Sequence, residues 1–407
     1  MAATTRPPEA GLDAEGIERL RVLIDGHVLA DRVGGAAWLV ARGGDVAVGA
    51  AGGLTRGEGA PVERDSLFRI SSMTKPIAAV AAMVLVEECR IRLDDPVDDL
   101  LPELADRRVL VDPHGPLDGP TVPARRAITV HDVLTFRLGL GMDFTAPWPQ
   151  PLLEAMAELG LGAGPPEPQG PPAPDEWLRR LGTLPLLHQP GERWLYNTGA
   201  DVLGVLLARA VGAPLDVVLR ERLFEPLGMA DTGFAAADPR RLGTCYGIDP
   251  ATGARVAFDG PDGQWATPPA FPSAAAGLVS TVDDLHAFAR MLLARGRLPD
   301  GTRLLSEASV AAMTTDQLGA GAGHVEGPSP DGSLGWGLGV GVTVRRTGLA
   351  NPVGSYGWSG GLGSSWANDP ASGLIGVILT TDMFTGPFPP PAVIQDFWTG
   401  AVTASAD

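Results

Sequence analysis

Ser72 and Lys75 lie three residues apart, and they are the side chains in this sequence best suited to do chemistry. Of the 31 lysines and arginines in the 407-residue chain, Lys75 is the only lysine. A guanidinium stays protonated in proteins, whereas a lysine amine can lose its proton and act as a base. A neutral amine beside a serine hydroxyl can take the hydroxyl proton and leave a nucleophile. The spacing therefore predicts nucleophilic catalysis by Ser72 with help from Lys75.

Pro76 indicates where the surrounding helix begins. Proline is tolerated in the first turn of a helix, so a helix over the apolar run from Ile77 does not start much before residue 73. Ser72 is then at or next to the N-cap, and Lys75 shares its face. A capping box would place an acceptor, Glu or Gln, at position 75, but a charged lysine only donates and meets the positive end of the helix dipole. The positive end of the helix and removal from water both favour the neutral form of the Lys75 amine. A lysine at a position where a capping box would have Glu or Gln therefore indicates a functional role.

The Ser-x-x-Lys pattern resembles the nucleophile motif of β-lactamases and penicillin-binding proteins. The stretch FRISSMTKPI (68–77) is similar to the serine β-lactamase-like superfamily, with the class C β-lactamase fold, and most closely to its family VIII carboxylesterases. Four more stretches resemble the same superfamily: residues 131–141, 188–204, 275–293 and 357–366. The resemblance implies a serine hydrolase that works through an acyl-enzyme.

By this resemblance Tyr196, in RWLYNTGADVLG, corresponds to a tyrosine that passes protons between nucleophile, lysine and leaving group. A phenolate forms near pH 7 only if a cation lowers the pKa of the tyrosine, so we expect Lys75 beside it. Which of Lys75 and Tyr196 is the general base is left open. Asn197 is expected to bind substrate. Thr198 stands where penicillin-binding members have an asparagine, which removes an amide that would contact a substrate carbonyl. Asp201 falls near a helix start, where acidic residues are ordinary.

Trp358-Ser359-Gly360 stands where many members of the superfamily have Lys-Thr-Gly on a strand lining the site. A cation there helps to bind the carboxylate of a β-lactam or of a terminal D-amino acid, and tryptophan cannot do so. We therefore expect these three residues to bind a neutral, apolar acyl substrate, as the family VIII resemblance implies. Backbone N–H groups of Ser72 and, by resemblance, Gly361 are expected to form the oxyanion hole.

Three other functions remain open for such a site. The acyl-enzyme could pass its acyl group to an alcohol or amine instead of water. It could hydrolyse amides, D-peptides or β-lactams, which Trp358 and Thr198 disfavour. The fold could also persist as a non-catalytic binding protein, although the intact set of Ser72, Lys75 and Tyr196 argues against this.

Stepwise changes in periodicity predict the elements that position these residues. We predict helices over 11–30, from about Ser72 and over 391–402, hairpins at 36–53 and 365–382, a strand at 335–344, and a Pro/Gly loop at 162–174. The fold class is then α/β, with an antiparallel sheet flanked by helices. We predict that residues 1–92 plus 241–407 form this α/β domain, that residues 93–240 form a mostly helical inserted domain, and that the active site lies at their interface.

Composition narrows the partners. A net charge of −17 argues against nucleic acid or an anionic membrane, and the longest relevant apolar run, 77–86, is too short to span a bilayer. The first residues show no basic segment followed by an apolar one, so we expect no signal peptide and a cytoplasmic location. Two cysteines and no metal-ligand spacing predict a site with no metal and no cofactor. The expected partner is a small-molecule acyl ester; the oligomeric state is left open.

Overall fold

The candidate site lies against an antiparallel sheet of seven strands, and these strands come from both ends of the chain. The computed structural model describes residues 11–57, 59–162, 164–319, 327–349, 351–386 and 388–405. The strands are β1 (Gly35–Arg42), β2 (Asp45–Gly52), β3 (Phe68–Arg69), β4 (Arg108–Leu110), β5 (Thr121–Pro123), β6 (Cys245–Ile248), β7 (Arg255–Asp259), β8 (Val279–Ser280), β9 (Leu334–Trp336), β10 (Gly341–Thr343), β11 (Tyr356–Gly360), β12 (Ser364–Asp369) and β13 (Leu374–Thr380).

Helices cover both faces of this sheet, and further helices lie in the stretch of chain between β2 and β9. They are α1 (Ala14–Leu29), α2 (Thr74–Glu87), α3 (Val130–Leu134), α4 (Pro151–Glu158), α5 (Pro174–Leu181), α6 (Thr198–Val211), α7 (Leu215–Leu219), α8 (Glu225–Leu227), α9 (Val282–Leu293), α10 (Glu307–Met313) and α11 (Ala392–Thr403). The predicted helices at both ends of the chain are confirmed as α1 and α11. The α/β fold class with an antiparallel sheet flanked by helices is confirmed as well.

The strand order is β2-β1-β13-β12-β11-β10-β9, and each neighbouring pair is antiparallel. Every residue of β1 is buried, because both faces of the sheet are covered. Side chains alternate between the faces: Trp38 packs with Ile24 and Phe397 of the terminal helices, whereas Leu39 packs in the cluster that contains Ile77 of α2. Because both faces of β1 are buried, a shift of one residue in its pairing with β13 would move every side chain to the other face. The pairing that joins the N-terminal and C-terminal strands therefore has a fixed register.

The prediction for residues 335–344 is wrong in one respect, because this stretch is a tight hairpin and not one strand. Strands β9 and β10 are joined by a turn in which Gly337 N–H donates to the Val340 carbonyl over 2.8 Å. Gly339 has a φ of +77°, and a Cβ there would lie 2.3 Å from Ala79 Cβ. The glycine permits both the turn and the close contact with α2, which period-2 patterning alone does not reveal. The hairpins predicted at 36–53 and 365–382 are confirmed.

The largest apolar cluster takes residues from both predicted domains, including Ile77 on α2, Val202 on α6 and Leu379 on β13. The division into 1–92 plus 241–407 and 93–240 therefore stays a prediction. Among the described residues no single helix has the length and apolar character needed to cross a membrane; α6 passes that test only together with the segment Leu215–Leu227, across a bend of 80°.

Candidate active site

Ser72 lies in a 3₁₀ turn, Ser71–Met73, that leads directly into α2. Helix α2 begins at Thr74, with Met73 at its N-cap, so the serine precedes the cap by one residue. Two neighbouring elements hold the turn: Ile70 N–H donates to the Leu278 carbonyl over 3.0 Å, and the Ser364 hydroxyl donates to the Ile70 carbonyl over 2.9 Å.

Backbone strain lies directly beside Ser72. Ser71 has a φ of +45°, a conformation that costs a residue with a side chain about 1–3 kcal/mol. The Thr74 hydroxyl donates to the Ser71 carbonyl over 2.7 Å and helps to hold this geometry. A strained residue next to a nucleophile candidate indicates that the surrounding contacts fix where Ser72 points.

Lys75 is buried against Ser72, with 1% of its surface exposed. Its Nζ lies 2.9 Å from Ser72 Oγ and 2.7 Å from the carbonyl oxygen of Ala275. Burial lowers the pKa of Lys75 to about 7, although the nearby carboxylate of Asp201 acts in the opposite direction. A neutral amine has two N–H groups and one lone pair. It can therefore donate to Ala275 and accept the proton of Ser72 in the same geometry.

Tyr196 completes the group. Its ring centroid is 4.4 Å from Lys75 Nζ, and its Oη accepts a hydrogen bond of 2.8 Å from Trp358 Nε1. Burial raises the pKa of Tyr196 to about 12, while its contacts with Ser72 and Trp358 act to lower it. The expected neighbour is present, because Lys75 lies against the Tyr196 ring, but the net shift of the Tyr196 pKa is upward and not the expected downward one. The Lys75 amine lies over the ring face, and with a pKa of about 7 it is only partly charged at neutral pH.

The backbone after Tyr196 is strained as well. Asn197 has φ +79° and ψ −62°, and the Thr198 N–H donates to the Tyr196 carbonyl over 3.1 Å, which together define a γ-turn of the rare kind. Thr198 itself is buried, with its hydroxyl 4.0 Å from Met156 Sδ. The threonine therefore faces the core and offers no substitute for the asparagine amide of penicillin-binding members.

Strand β11 brings Trp358, Ser359 and Gly360 to the same place. Gly360 touches the turn that carries the serine, because a Cβ on it would lie 2.1 Å from the Ile70 carbonyl oxygen. Gly361 follows the strand; it is exposed, and within the described residues its N–H makes no hydrogen bond. Its carbonyl accepts from Phe384 N–H over 2.8 Å, which fixes the orientation of the residue's carbonyl group.

Residues 357–361 also match the G-x-S-x-G pattern of α/β-hydrolase nucleophiles, with Ser359 at its centre. That motif requires a sharp turn from strand to helix. Ser359 instead lies inside β11, opposite Ser365 on β12, and its hydroxyl donates to Ser365 Oγ over 3.0 Å. The structure therefore distinguishes the two candidate serines by geometry: only Ser72 has a base within hydrogen-bond distance.

Apolar rings surround Tyr196, and the sequence patterns did not predict most of them. Neighbouring ring centroids are 4.7 to 6.3 Å apart in a cluster made of Phe136, Phe144, Trp194, Tyr196, Trp336 and Trp358. Trp358 thus has two contacts beyond the predicted one with substrate, since it packs edge-on against Trp336 and donates to Tyr196. These rings make the surroundings of the phenol apolar. An apolar environment disfavours the charged phenolate, which is why burial raises the pKa of Tyr196.

Asp201 is a second residue that sequence reasoning missed. It is on α6, as expected, but it is buried, and its Oδ1 accepts hydrogen bonds from Ser273 Oγ over 2.7 Å and Ala275 N–H over 3.2 Å. Burial raises its pKa. The signal was its position five residues after Tyr196, but helix-start acids are too common for this to stand out. In the described part of the chain, no group of three or more His, Cys, Asp or Glu side chains could hold a metal ion.

The sequence of this chain is similar to those of known proteins. The Beta-lactamase family model matches residues 20–395. Protein Rv1367c of Mycobacterium tuberculosis is 41% identical over 326 residues, which cover 78% of this chain and 78% of that protein. Esterase EstB of Burkholderia gladioli is 34% identical over 411 residues, with 95% of each chain covered.

Among solved structures, EstCE1, a hydrolase with promiscuous acyltransferase activity, superposes with a TM-score of 0.78 and 26% identity. The match covers 95% of this chain and 99% of EstCE1. The family match and the two relatives together span nearly the whole described chain, including every candidate site residue.

Proposed function

The chain belongs to the beta-lactamase family, and on that premise we propose that it is a carboxylesterase that cleaves small, neutral esters through an acyl-enzyme on Ser72. Its relatives support the broader description, a serine hydrolase or acyltransferase of this family. The observation that carries the proposal is the 2.9 Å contact between Lys75 Nζ and Ser72 Oγ, with the pKa of the lysine lowered to about 7.

Acylation begins when Ser72 Oγ attacks the ester carbonyl carbon. The neutral Lys75 amine takes the Ser72 proton and becomes an ammonium, and the carbonyl oxygen becomes an oxyanion. Backbone N–H groups of Ser72 and Gly361 are the proposed donors to that oxyanion. The carbonyl of Ala275, 2.7 Å from Nζ, stabilises the ammonium as it forms.

The leaving alkoxide takes the hydroxyl proton of Tyr196. With a pKa of about 12 the phenol is protonated at neutral pH, and an alkoxide is a stronger base than the phenolate that results. The Lys75 ammonium, with its lower pKa, then returns a proton to Tyr196. Water next attacks the acyl-enzyme, gives up its proton to the same lysine–tyrosine pair, and releases the carboxylic acid with Ser72 restored. The pair shares its protons, so the two titrations are coupled.

The proposed substrate preference rests on what surrounds Tyr196. Trp358 provides an apolar ring and a single N–H that already donates to Tyr196, so it offers no cation for a substrate carboxylate. Phe144 also packs against the phenol, with ring centroids 5.0 Å apart. A charged substrate group would lose its hydration against these rings without a compensating partner. Neutral esters avoid that cost. The same cost disfavours β-lactams and D-peptides, because these substrates carry a carboxylate.

Acyl transfer is the second candidate, because the acyl-enzyme is common to both reactions and EstCE1 combines them. The acyl-enzyme reacts with whichever acceptor reaches it first. Adding short alcohols or amines to the ester assay separates the two: new ester or amide product at the expense of acid indicates transfer. Esterase function predicts that acid remains the main product in water.

The test of the proposal is a panel of p-nitrophenyl esters, with nitrocefin as the β-lactam, on the wild type, Ser72→Ala and Ser71→Ala. We expect turnover of short neutral esters, loss of turnover in Ser72→Ala, and retention in Ser71→Ala, whose altered hydroxyl is one residue away. Nitrocefin turnover that rivals ester turnover would overturn the substrate preference. Ester turnover that survives in Ser72→Ala would overturn the nucleophile.

A cytoplasmic location is part of the same proposal. Cys89 is exposed and Cys245 is buried, and both are free thiols, which suits a reducing compartment. Cell fractionation tests this, and recovery of the protein outside the cytoplasmic fraction would contradict it.

A further inference from the structure

Asp201 is a buried carboxylate that no step of the proposed reaction uses. Only 8% of its surface is exposed, and its Oδ1 accepts hydrogen bonds from Ser273 Oγ (2.7 Å) and Ala275 N–H (3.2 Å). Within the described residues no arginine pairs with it, although most buried carboxylates have such a partner. A buried charge without an ion-pair partner is costly, so its place in the fold calls for a reason.

The hydrogen bonds of Asp201 connect it to Lys75 through one peptide. Ser273 Oγ also accepts from the N–H groups of Ala275 and Ala276, over 3.2 Å each, so the carboxylate and the serine together hold the turn 273–276. The carbonyl of Ala275 in that turn accepts from Lys75 Nζ over 2.7 Å. The carboxylate therefore binds the N–H side of residue 275, and the amine binds its carbonyl side.

We propose that Asp201 is a positioning residue for Lys75, holding the Ala275 carbonyl against the amine and supplying the negative charge that balances the ammonium formed when Ser72 gives up its proton. The inference rests on the proposed use of Lys75 as the base. Burial has two opposing effects on Lys75. It makes the amine neutral, as a base must be, but it also lowers the pKa of the amine and so weakens it as a base. A carboxylate placed behind one peptide keeps the lysine basic enough to accept a proton without forming a direct ion pair that would keep it charged.

The surroundings of the amine make Asp201 the only candidate for this task in the described chain. The titratable side chains that face Lys75 Nζ there are Asp201, from α6, and Tyr196, from the loop before α6. Tyr196 is protonated near neutral pH and carries no charge. Asp201 therefore accounts for the charge that raises the pKa of Lys75 against the effect of burial.

The single lysine makes the test direct, because protein labelled with ¹³C-lysine and made without a lysine-containing tag gives one side-chain signal. Its chemical shift against pH reports the titration of Lys75 in the wild type and in Asp201→Asn. Asparagine keeps an oxygen to accept both hydrogen bonds and removes only the charge. We expect the titration midpoint to fall by about one pH unit in Asp201→Asn. The acidic limb of kcat/KM on a p-nitrophenyl ester should move to lower pH by the same amount.

The matched control is Asp284→Asn. Asp284 is as buried as Asp201, at 7% exposed, and it also accepts one hydroxyl and one backbone hydrogen bond, from Thr232 Oγ1 over 2.8 Å and Asp231 N–H over 2.9 Å. Its hydrogen-bond partners, Asp231, Thr232 and Thr281, are not residues of the site, so Asp284→Asn should leave the Lys75 midpoint in place. If Asp201→Asn does not fold, Asp201→Ser removes the charge with a smaller side chain and serves in the same comparison.

A lysine midpoint that is unchanged in the Asp201 variants would overturn the inference, whatever happens to the activity. A purely structural role would lower kcat and thermal stability without moving the midpoint, so it falls under the same outcome. Failure of the proposed function is recognised separately. In that case the wild type fails to turn over esters or to acylate Ser72, while the lysine titration still reports whether Asp201 acts on Lys75.

Discussion

At the scale of single residues, the proposed mechanism depends on a lysine whose environment lets it lose its proton near neutral pH. Burial to 1% exposure lowers the pKa of Lys75 to about 7, and the same environment raises the pKa of Tyr196 to about 12. The two groups are therefore separated into a base and an acid near neutral pH. The chain uses arginine at its other basic positions, where a permanent charge does no harm.

The first prediction concerns the charge at position 75. In Lys75→Arg the side chain keeps its positive charge at every working pH and cannot accept the Ser72 proton. We expect kcat/KM on a p-nitrophenyl ester to fall by roughly 10²- to 10⁴-fold. Circular dichroism and the thermal midpoint serve as the control that the variant folds. A folded arginine variant with wild-type activity would show that the residue acts only as a cation.

The second prediction is the direction of the pH dependence. Lys75 must be neutral to act, and its pKa is lowered to about 7, so activity is lost as pH falls through that value. Tyr196 must be protonated, and with a pKa of about 12 it stays so throughout the usable range. We therefore expect kcat/KM to rise with pH up to about 7 and then to remain level to about pH 10. A limb that sits near the ordinary lysine pKa, or a decline just above pH 7, would contradict this assignment.

At the scale of elements, the site depends on close contact between the turn before α2 and strand β11. The Ile70 carbonyl accepts from the Ser364 hydroxyl of β12, and Gly360 of β11 lies against the same carbonyl. The strand that carries Trp358 is thus packed directly on the turn that carries Ser72. This contact sets the distance between the proposed oxyanion donors, the N–H groups of Ser72 and Gly361.

The third prediction tests that contact with two adjacent glycines. A Cβ at Gly360 would lie 2.1 Å from the Ile70 carbonyl oxygen and 2.4 Å from Ser364 Oγ, so Gly360→Ala must push the strand away from the turn. We expect a loss of about 1–3 kcal/mol in stability and a parallel fall in kcat. Gly361→Ala is the matched control for the thermal midpoint only, because a Cβ there meets no atom within 4 Å. Its N–H is a proposed oxyanion donor, so its kcat is not part of the comparison. Equal thermal midpoints for the two variants would show that the contact is not close in solution.

The sequence could predict the elements that have simple periodicity, but not the way they meet. The terminal helices, the hairpins at 36–53 and 365–382 and the start of the helix after Ser72 follow from local patterns. The turn inside 335–344 depends on Gly339 packing on α2, and the role we give Asp201 depends on a turn more than 70 residues away. The contact order of such features is high, so local rules do not contain them. Ser72, Lys75 and Tyr196 remain predictions about function that geometry supports by bringing them together.

At the scale of the whole molecule, one buried ion pair ties the segment before the nucleophile to a distant part of the chain. Arg69 is three residues before Ser72, and its Nε donates to Asp259 Oδ2 over 2.7 Å across 190 residues of sequence. Both side chains are nearly fully buried, and the guanidinium also lies 5.2 Å from the Trp265 ring centroid. The two sequence halves of the predicted α/β domain are therefore linked close to the site.

The fourth prediction compares this pair with an exposed one. Asp259→Ala leaves the Arg69 charge buried without its partner, and we expect a loss of about 3–5 kcal/mol in the free energy of unfolding, measured by urea denaturation. Asp283→Ala breaks the bidentate contact with Arg64, in which both hydrogen bonds are 2.8 Å, but both side chains are exposed. Its expected cost is about 0–1 kcal/mol. Similar costs for the two variants would show that the Arg69 pair is not shielded from water.

The most direct measurement of the central claim is to trap the acyl group and locate it. A p-nitrophenyl ester is mixed with the protein, the reaction is quenched in acid, and tryptic peptides are fragmented in a mass spectrometer. Trypsin cleaves after Arg69 and Arg90 but not at the Lys75-Pro76 bond, so both serines of the motif remain in one peptide, 70–90. We predict one acyl group on Ser72, none in Ser72→Ala, and a much slower appearance in Lys75→Arg. An acyl group on Ser71 or Ser359, or turnover with Ser72 never acylated, would contradict it.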